Sequence, residues 1–349
     1  MSFDENEANI PAVGLLNFNK IDQKIKYYKK NNSKLNNVCY INSSIQCLFR
    51  FDEFVKNILK CDGGSLTTAT QNLIRKMKNY NNQNRNYCSV AEIKMAMGKE
   101  NKFYNGEEQG DANEFISNYL NILIEETKAT SKINWNCLPR DEQYFNIFKE
   151  KFIERKGNSF ILDLFYGVLR KETYCKKCQF EAPLKFYSFN ILEIPIYEDK
   201  DIYNNCDDNL ELNDLLNKFI SEKKNENDNC PKCQGILNTK TSINTLPKCL
   251  IIYFSRDYSD GRENKINIPK TINLENFLFD TSLNNDKEYF YHLKGIIFYS
   301  YYDNFISHYK AACYVNKEKW YYFNDNYCKK EKKLAIYQND NPVFLFYEK

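Results

Sequence analysis

The spacing of the apolar residues changes along the chain. Between residues 39 and 130 it is helical: Ile41, Ile45 and Leu48 recur at intervals of three or four and share one helix face. From about residue 160 the apolar residues form short runs rich in β-branched and aromatic side chains, such as CLIIYFS at 249–255, with polar turns between them. A helical part followed by a strand-rich part predicts an α+β fold.

Composition indicates a large globular protein. The 349 residues are 42% hydrophobic and 15% aromatic, which is enough for a sizeable core and too apolar for a disordered chain. A formal net charge of +3 provides little attraction for nucleic acid or for an anionic membrane, and no apolar run reaches the roughly 18 residues of a membrane helix. We therefore expect neither nucleic acid nor a membrane among its partners.

The first 30 residues are polar and end in the basic stretch KIKYYKK. We expect residues 1–30 to be an N-terminal extension, either disordered or lying loosely over the body of the protein. Because the chain begins with acidic and polar residues, it lacks the pattern of a secretory signal. An intracellular protein, cytoplasmic or nuclear, is the corresponding expectation.

Four of the thirteen cysteines form two C-x-x-C pairs, Cys175 with Cys178 and Cys230 with Cys233. Without an export signal, metal binding or catalysis is a better interpretation than a disulfide framework. Each pair can present two thiolates from one tight turn, and two such turns supply the four soft ligands of a tetrahedral zinc ion. Four protein ligands leave no position for water, so the expected zinc is structural.

Two other interpretations of these cysteines stay open. They are four unrelated buried cysteines, or one pair is a redox-active dithiol of the thioredoxin kind. A redox pair predicts a strand-to-helix junction, whereas the segments around both pairs are strand-like and basic.

A candidate nucleophile stands at the start of an amphipathic helix. In NNVCYINSSIQCL, Cys39 begins the helical pattern, where backbone N–H groups and the helix dipole favour a thiolate over a thiol. A thiolate is the nucleophile of cysteine hydrolases. The alternative is a small buried residue without a chemical role.

Only two histidines, His292 and His308, are available as a base. His308 begins an apolar strand, and the turn NKEK followed by a second strand predicts a hairpin that returns Asn324 or Asp325 to its side. A cysteine hydrolase needs this set of thiol, imidazole and a polar group that fixes the imidazole tautomer. The alternative is a surface histidine near an ordinary turn. His292, at the start of another strand, is interpreted as structural.

Several segments together resemble the ubiquitin-specific protease family. The family's cysteine box, GLxNxGNTCYMNSxLQxL, is similar to NNVCYINSSIQCL here, and its QQDAxEF motif is similar to QGDANEF at 109–115. Further matches follow in the family's order: the two C-x-x-C pairs, LPKCLIIYFSRD, a histidine box containing SHYKAACYV, KWYYFNDN and the final VFLFYEK. The resemblance covers roughly residues 31–349.

This resemblance implies a papain-like cysteine protease fold of the ubiquitin-specific protease type, shaped like a right hand. A helical thumb would span about 31–160, zinc-ribbon fingers about 165–250 and a β-rich palm about 250–349. The fingers would hold ubiquitin while its C-terminal tail runs between thumb and palm.

The resemblance also implies catalytic roles. Cys39 would attack the carbonyl after the terminal glycine of ubiquitin, and His308 would be its base. Asn324 matches the position that orients the histidine, and Asp325 matches an acidic residue that assists.

Asp111 and Glu114 match positions that would meet the basic tail of ubiquitin. One helical turn separates them, so both can face the cleft. The alternative is a solvated helix face.

The chain departs from the family in the loop before the cysteine. The family's oxyanion asparagine lies five residues before the cysteine, where this chain has Lys34. Candidate donors are the ammonium group of Lys34, the side chains of Asn36 or Asn37, and the backbone N–H of Cys39.

Other departures lie nearby. Gly110 replaces the second glutamine of the QQDA motif, which weakens the predicted helix start, and Ser307 replaces a glycine before the histidine.

We expect a thiol-dependent deubiquitinase acting on ubiquitin and ubiquitinated proteins. The alternatives are a catalytically impaired ubiquitin-binding scaffold, a protease for another ubiquitin-like modifier, and a non-enzymatic zinc module.

Overall fold

The computed structural model describes residues 10–17, 36–80, 87–128, 135–196, 210–256, 265–283, 289–302, 306–316, 319–334 and 340–349. Its α-helices are α1 (Cys39–Leu48), α2 (Asp52–Lys60), α3 (Ser65–Lys78), α4 (Ala91–Glu100), α5 (Ala112–Glu126), α6 (Glu142–Lys156), α7 (Phe160–Phe165) and α8 (Leu212–Ile220). Its strands are β1 (Gly14–Leu15), β2 (Tyr87–Cys88), β3 (Gly167–Tyr174), β4 (Lys185–Phe189), β5 (Leu192–Ile196), β6 (Leu210–Glu211), β7 (Lys223–Asn229), β8 (Ile236–Thr245), β9 (Cys249–Arg256), β10 (Ile266–Asn267), β11 (Thr271–Asn273), β12 (Phe290–Tyr302), β13 (Ile306–Val315), β14 (Lys319–Asn324), β15 (Tyr327–Glu331) and β16 (Asn341–Glu348). The α+β prediction is confirmed, with helices before strands. None of the described helices is both long enough and apolar enough to cross a bilayer.

The rest of the protein encloses α1. All ten of its residues are buried, and it packs against α5 and against β13. The ring of Tyr40 meets the ring of Phe115 on α5 edge-on, with 5.9 Å between the ring centroids. A helix without a solvent face has no place for charged residues, and the sequence of α1, CYINSSIQCL, contains none.

The large sheet has the strand order β15-β14-β13-β12-β16-β9-β5, with β11 paired to the start of β12. Neighbouring side chains of β12 enter different cores because they alternate between the faces of the sheet. Ile297 joins the core that contains α1, while Ile296 and Phe298 join a second core that includes Leu216 of α8. Packing on both faces holds the β13–β14 hairpin against α1.

The smaller sheet has the antiparallel order β4-β3-β8-β7. Phe145 of α6 packs edge-on against Phe186 of β4, with 5.0 Å between the ring centroids. Strand β3 ends directly before Cys175, and Cys230 lies between β7 and β8. Both C-x-x-C turns therefore meet at one end of this sheet.

Residues 10–17 are held tightly in the structure. Ile10 and Val13 are at most 2% exposed, and β1 pairs in parallel with β2. The buried side chains of Gln46 on α1 and of Arg50, in the turn after α1, donate hydrogen bonds to the backbone oxygens of Val13 at 2.6 Å and Ile10 at 2.8 Å. The expectation of a loose extension is therefore wrong for this segment, because buried donors on α1 and in the turn after it require the acceptors that it supplies. The rest of the predicted extension lies outside the described residues.

Candidate active site and metal site

Cys39 is the first residue of α1 and is 3% exposed. Burial raises the pKa of its thiol to about 12, and the carboxylate of Asp325 adds to the rise. Backbone N–H groups, that of Tyr309 foremost, oppose the rise. Desolvation thus outweighs the stabilisation of a thiolate that the helix N-terminus predicted. In the free protein the Cys39 sulfur is therefore a neutral thiol, and a candidate nucleophile here needs a base to remove its proton.

The β13–β14 hairpin places an imidazole and an amide side by side. His308 lies on β13, next to the residue whose backbone N–H bonds the Cys39 sulfur. Its Nε2 is 2.7 Å from Oδ1 of Asn324, the last residue of β14. An amide oxygen accepts hydrogen bonds, so Nε2 carries the proton and donates it. The other ring nitrogen, Nδ1, is then unprotonated and able to act as a base.

Asp325, in the turn after β14, is held by asparagines from two distant segments. Asn42 of α1 donates to Oδ1 at 2.8 Å, and Asn17 donates to Oδ2 at 2.9 Å. The same Oδ2 lies 3.7 Å from Nε2 of His308. Burial raises the pKa of Asp325, while His308 and the two asparagines oppose the rise. These contacts join the turn beside the imidazole to the helix that carries the thiol.

Sequence analysis missed Asn17. Its Nδ2 donates to Asp325, and its Oδ1 accepts from the backbone N–H of Val38 at 3.2 Å. Val38 directly precedes α1 and its own side chain does not cap the helix. Asn17 therefore satisfies the start of the nucleophile's helix from 21 residues upstream.

A sequence signal for this residue exists. The family's cysteine box begins GLxN, and residues 14–17 read GLLN, but residues 18–35 separate them from the NNVCYIN part of the box. In the structure the GLLN segment lies next to the NNVCYIN segment, since Asn17 accepts a hydrogen bond from Val38, the residue before Cys39. Asn17 is therefore a second candidate, besides Lys34, for the role of the asparagine expected five residues before the cysteine. Lys34, which occupies that position in the sequence, lies outside the described residues.

Asn36 and Asn37, the two asparagines that the sequence offered as oxyanion donors, connect the residues before α1 to a neighbouring loop. Asn36 donates to a carboxylate oxygen of Glu107 at 2.9 Å, and Asn37 donates to the backbone oxygen of Glu107 at 2.8 Å. Asn37 also adopts the left-handed conformation, with a φ of 55°. Both side chains thus tie the entry to α1 to the loop before α5.

That loop contacts the cysteine through a second residue that sequence analysis missed. Gln109 donates to the backbone oxygen of Ser307 at 2.9 Å, and its Nε2 lies 3.8 Å from the Cys39 sulfur. The next residue, Gly110, has no room for a side chain, because a Cβ there would lie 2.7 Å from the ring of Tyr40. Glycine at this position therefore allows the loop to approach α1.

Asp111 and Glu114 begin α5, and both are exposed. Oδ1 of Asp111 accepts from the backbone N–H groups of Asn113 and Glu114, so the helix start is capped in spite of the preceding glycine. Oδ2 of Asp111 accepts from the hydroxyl of Tyr309 at 3.1 Å. The first turn of α5 is thereby linked to the residue that follows the candidate base.

His292 lies far from these groups. It pairs with Thr271 near the start of β12, and its Nδ1 is 3.2 Å from Oγ1 of that residue. Ser300, eight residues further along the strand, is the residue opposite His308. At about 3.3 Å per residue, His292 is on the order of 26 Å from the catalytic end of the sheet.

The four C-x-x-C cysteines form one cluster. Their sulfur atoms all lie within 4.8 Å of one another, with 3.5 Å between Cys175 and Cys233 and between Cys178 and Cys230. A tetrahedral ion with metal–sulfur bonds of about 2.3 Å holds its ligand sulfurs roughly 3.8 Å apart, so the cluster fits such an ion. Both pairs lie at strand ends, not at a strand-to-helix junction, and they are not unrelated cysteines.

The two turns share one backbone design. Gln179 donates its N–H to the backbone oxygen of Cys175, and Gln234 donates to Cys230 in the same way. Both glutamines are left-handed, with φ of 56° and 57°.

The backbone N–H of Cys178 is the largest of several causes that lower the pKa of Cys175 to about 7. At Cys178 the backbone N–H of Phe180 is outweighed by burial and by hydrogen bonds to the other three thiols, which raise the pKa of Cys178 to about 12. The sulfurs thus share protons in the metal-free cluster, and Cys175 forms the thiolate that a metal ligand requires before Cys178 does.

Comparison with known proteins places the chain among one family of hydrolases. The family described as "Ubiquitin carboxyl-terminal hydrolase" matches residues 30–347. The Drosophila melanogaster protein "Ubiquitin carboxyl-terminal hydrolase Usp2" is 26% identical over 337 residues, which cover 90% of this chain and 34% of that protein. The Homo sapiens protein "Ubiquitin carboxyl-terminal hydrolase 2" is 26% identical over 341 residues, which cover 90% of this chain and 54% of that protein. The chain thus spans only part of each relative.

Solved structures show the same fold. A chain in "Structure of the SAGA Ubp8/Sgf11/Sus1/Sgf73 DUB module bound to ubiquitin aldehyde" superposes with a TM-score of 0.66 at 19% identity, covering 99% of this chain and 70% of that chain. The expected papain-like fold of the ubiquitin-specific protease type is confirmed.

Proposed function

The chain belongs to the ubiquitin carboxyl-terminal hydrolase family, and we propose that it is a thiol-dependent deubiquitinase. Its substrates are ubiquitinated proteins, and the bond cleaved is the peptide or isopeptide bond after the C-terminal glycine of ubiquitin. One observation carries the proposal: the 2.7 Å hydrogen bond of His308 to Asn324, on the strand that also bonds the Cys39 sulfur. Acyl transfer to a cysteine requires this combination of groups.

The reaction begins with transfer of the Cys39 proton to Nδ1 of His308. Because burial raises the pKa of the thiol to about 12, the sulfur stays neutral until this base acts. The sulfur then attacks the carbonyl carbon, a C–S bond forms, and the carbonyl oxygen takes up the negative charge. When the intermediate collapses, the C–N bond breaks and the imidazolium protonates the leaving amine. Water deprotonated by His308 hydrolyses the thioester and restores the thiol.

Asn324 and Asp325 have different parts in this scheme. The side-chain oxygen of Asn324 holds the imidazole in the tautomer with Nδ1 unprotonated. The carboxylate of Asp325, 3.7 Å from Nε2, stabilises the imidazolium that forms during the reaction.

We assign stabilisation of the oxyanion to the backbone N–H of Cys39 and to Asn17, in place of Lys34 or Asn37. The position of Asn17 against the residue before Cys39 supports this assignment. Its Nδ2 has two hydrogens and donates one of them to Asp325, which leaves the second for a substrate oxygen.

Substrate and metal binding complete the proposal. Asp111 and Glu114, exposed at the start of α5, bind the basic tail of ubiquitin. The four-cysteine cluster holds a structural Zn²⁺ that cross-links the end of β3 to the turn between β7 and β8. The proposed location is the cytoplasm or the nucleus, where cysteines stay reduced, and none of the described cysteines forms a disulfide bond.

Ubiquitin carrying a C-terminal electrophile tests this function. We expect it to label the wild-type protein and the control Cys61→Ala, whose half-buried thiol lies outside the site, but not Cys39→Ala. Hydrolysis of a ubiquitin amide should follow the same order.

Two results would contradict the proposal. Binding of ubiquitin without labelling or turnover would identify a scaffold. Preferential labelling by a probe built on another ubiquitin-like modifier would identify a different substrate.

A further inference from the structure

A basic cleft lies at the opposite end of the large sheet from Cys39. Its volume is about 440 Å³, and His292 forms part of its wall. Among the ten described residues that line it, half are lysines and none is acidic. The lysines are Lys270, Lys294, Lys319, Lys332 and Lys333.

The strand order brings these lysines together from separate segments. Lys270 directly precedes β11, Lys294 lies on β12, and Lys319 begins β14. The last two follow the end of β15. The cleft is therefore a product of the sheet topology, in which β15 and β12 are three strands apart.

Two aromatic residues also line the cleft. Tyr314 of β13 lies opposite Trp320 of β14, with 5.6 Å between their ring centroids. Trp320 is 7% exposed, and its ring packs in the second core. Because the ring is held in place and lines the cleft, its fluorescence should change when a ligand binds there.

The positive charge of the cleft is largely uncompensated. Lys294 pairs with Glu348 at 2.7 Å. In the part of the chain that the structure describes, none of the other four lysines forms an ion pair with a carboxylate. Four like charges converge on one concavity, although the whole chain carries a formal net charge of only +3.

Protection of a sheet edge does not account for this arrangement. Lysines on an edge strand discourage edge-to-edge association, and this explains Lys329 and Lys330 on β15. It does not explain Lys270 and Lys294, which approach the same concavity from the β11–β12 side of the sheet.

We propose that this cleft binds a compact ligand that carries several phosphate groups. Lysine ammonium groups bind phosphate as point charges, and a concavity of several hundred cubic ångströms accommodates a compact ligand. The phosphates belong either to a free polyphosphate or to the headgroup of a phosphorylated lipid. The site is separate from the catalytic residues and does not depend on the proposed deubiquitinase activity.

Titration of the whole chain with inorganic tripolyphosphate at about 0.15 M salt, followed by Trp320 fluorescence and calorimetry, tests the proposal. Saturable binding is expected. The double variant Lys332→Gln with Lys333→Gln should bind about tenfold more weakly, because two exposed charge contacts are lost. The matched control, Lys329→Gln with Lys330→Gln, changes the same charge in the same run of sequence outside the cleft and should bind as the wild type does.

Lys270→Gln provides a second test from the opposite wall and should weaken binding about threefold. Phosphatidylcholine vesicles with and without phosphatidylinositol bisphosphate separate the two sources of phosphate. Binding only to vesicles that contain the phosphorylated lipid indicates a lipid headgroup. Binding of tripolyphosphate without binding to either vesicle indicates a free ligand. Absence of saturable binding, equal losses in both double variants, or equally tight binding of a hexaglutamate peptide would overturn the proposal.

Discussion

Cysteines occupy two contrasting environments in this protein. The thiol of Cys39 is buried at a helix start among residues that are distant in sequence, and burial raises its pKa to about 12. The four clustered cysteines lie in two matching turns, where the pKa of Cys175 falls to about 7, chiefly through the backbone N–H of Cys178. At Cys178 the backbone N–H of Phe180 is outweighed by burial and by hydrogen bonds among the thiols, which raise the pKa of Cys178 to about 12. One residue type is thus a uniformly neutral thiol where the tertiary structure desolvates it, and includes an easily ionised member where local turns donate hydrogen bonds to it.

The largest effect should come from removing the protected thiol. We expect Cys39→Ala to lower turnover of a ubiquitin amide by at least about 10⁴-fold, because no other group supplies the nucleophile. Cys61→Ala is the control and should retain activity. Initial rates with purified protein measure both, and appreciable turnover by Cys39→Ala would show that another residue attacks the substrate.

Alkylation of the metal-free protein compares the two environments directly. With a pKa of about 12, Cys39 should react with iodoacetamide on the order of a thousandfold more slowly near pH 8 than an unperturbed cysteine, and its rate should still rise above pH 10. Cys175, with a pKa of about 7, should reach its plateau near pH 8, since a lowered pKa forms the thiolate at lower pH. Peptide mapping by mass spectrometry follows both sites. A plateau for Cys39 below pH 8 would contradict the effect of burial.

Asn17→Ala tests how much the distant segment contributes to the nucleophile's surroundings. We expect kcat to fall by about 10²- to 10³-fold with little change in KM, as for loss of an oxyanion donor. Two control variants, Lys34→Ala and Asn57→Ala, should change kcat little. The amide of Asn57 donates to a backbone oxygen on the surface of α2, away from the site. If Asn17→Ala raised only KM, the residue would act in substrate binding instead.

The metal environment should respond to loss of one ligand. We expect Cys178→Ser to weaken zinc binding by at least about a hundredfold. Loss of a residue that only hydrogen-bonds to a metal ligand already lowers metal affinity by up to about a hundredfold, and Cys178 is itself a ligand in the proposal. Metal analysis and hydrogen exchange measure the result, and exchange should quicken in β3, β7 and β8 while β12 and β13 are unchanged. Cys137→Ser, a half-buried thiol outside the cluster, is the control. An intact wild-type protein without bound zinc would refute the metal assignment.

The smallest effect should come from the exposed acid of α5. Glu114→Gln should raise KM for ubiquitin substrates about fivefold without changing kcat, since an exposed charge contact contributes about 1 kcal/mol or less. Glu108→Gln removes the same charge from an exposed position in the preceding loop and serves as the control. If the two variants raised KM equally, the effect would come from the overall negative charge of this region and not from a specific contact of Glu114 with ubiquitin. Asp111 is unsuitable for this test because it caps α5.

Features that depend on neighbours in sequence were predictable. Apolar spacing indicated helices between residues 39 and 130 and strands from about residue 160, although it did not predict α6, α7 or α8. The C-x-x-C spacing indicated the four-cysteine cluster. The hairpin that returns Asn324 to His308 was also readable, because the two residues are only 16 positions apart. The predicted limits of thumb, fingers and palm stay predictions.

Features that depend on distant contacts were not predictable in the same way. Asn17 meets Asp325 across 308 positions, and the interruption of the GLxN pattern by residues 18–35 concealed its match to the cysteine box. Cys39 does not become a thiolate at the start of its helix, because desolvation raises its pKa by more than the nearby N–H groups lower it.

The sequence by itself determined the two kinds of secondary structure, the four candidate metal ligands and the candidate pair of Cys39 with His308. Only the tertiary structure decided the protonation state of Cys39, the position of Asn17 and the convergence of five lysines into a cleft. Spacing and backbone propensity act over one or two turns of chain. The charge state of a group depends on every polar and apolar atom packed around it, and most of those atoms come from elsewhere in the sequence.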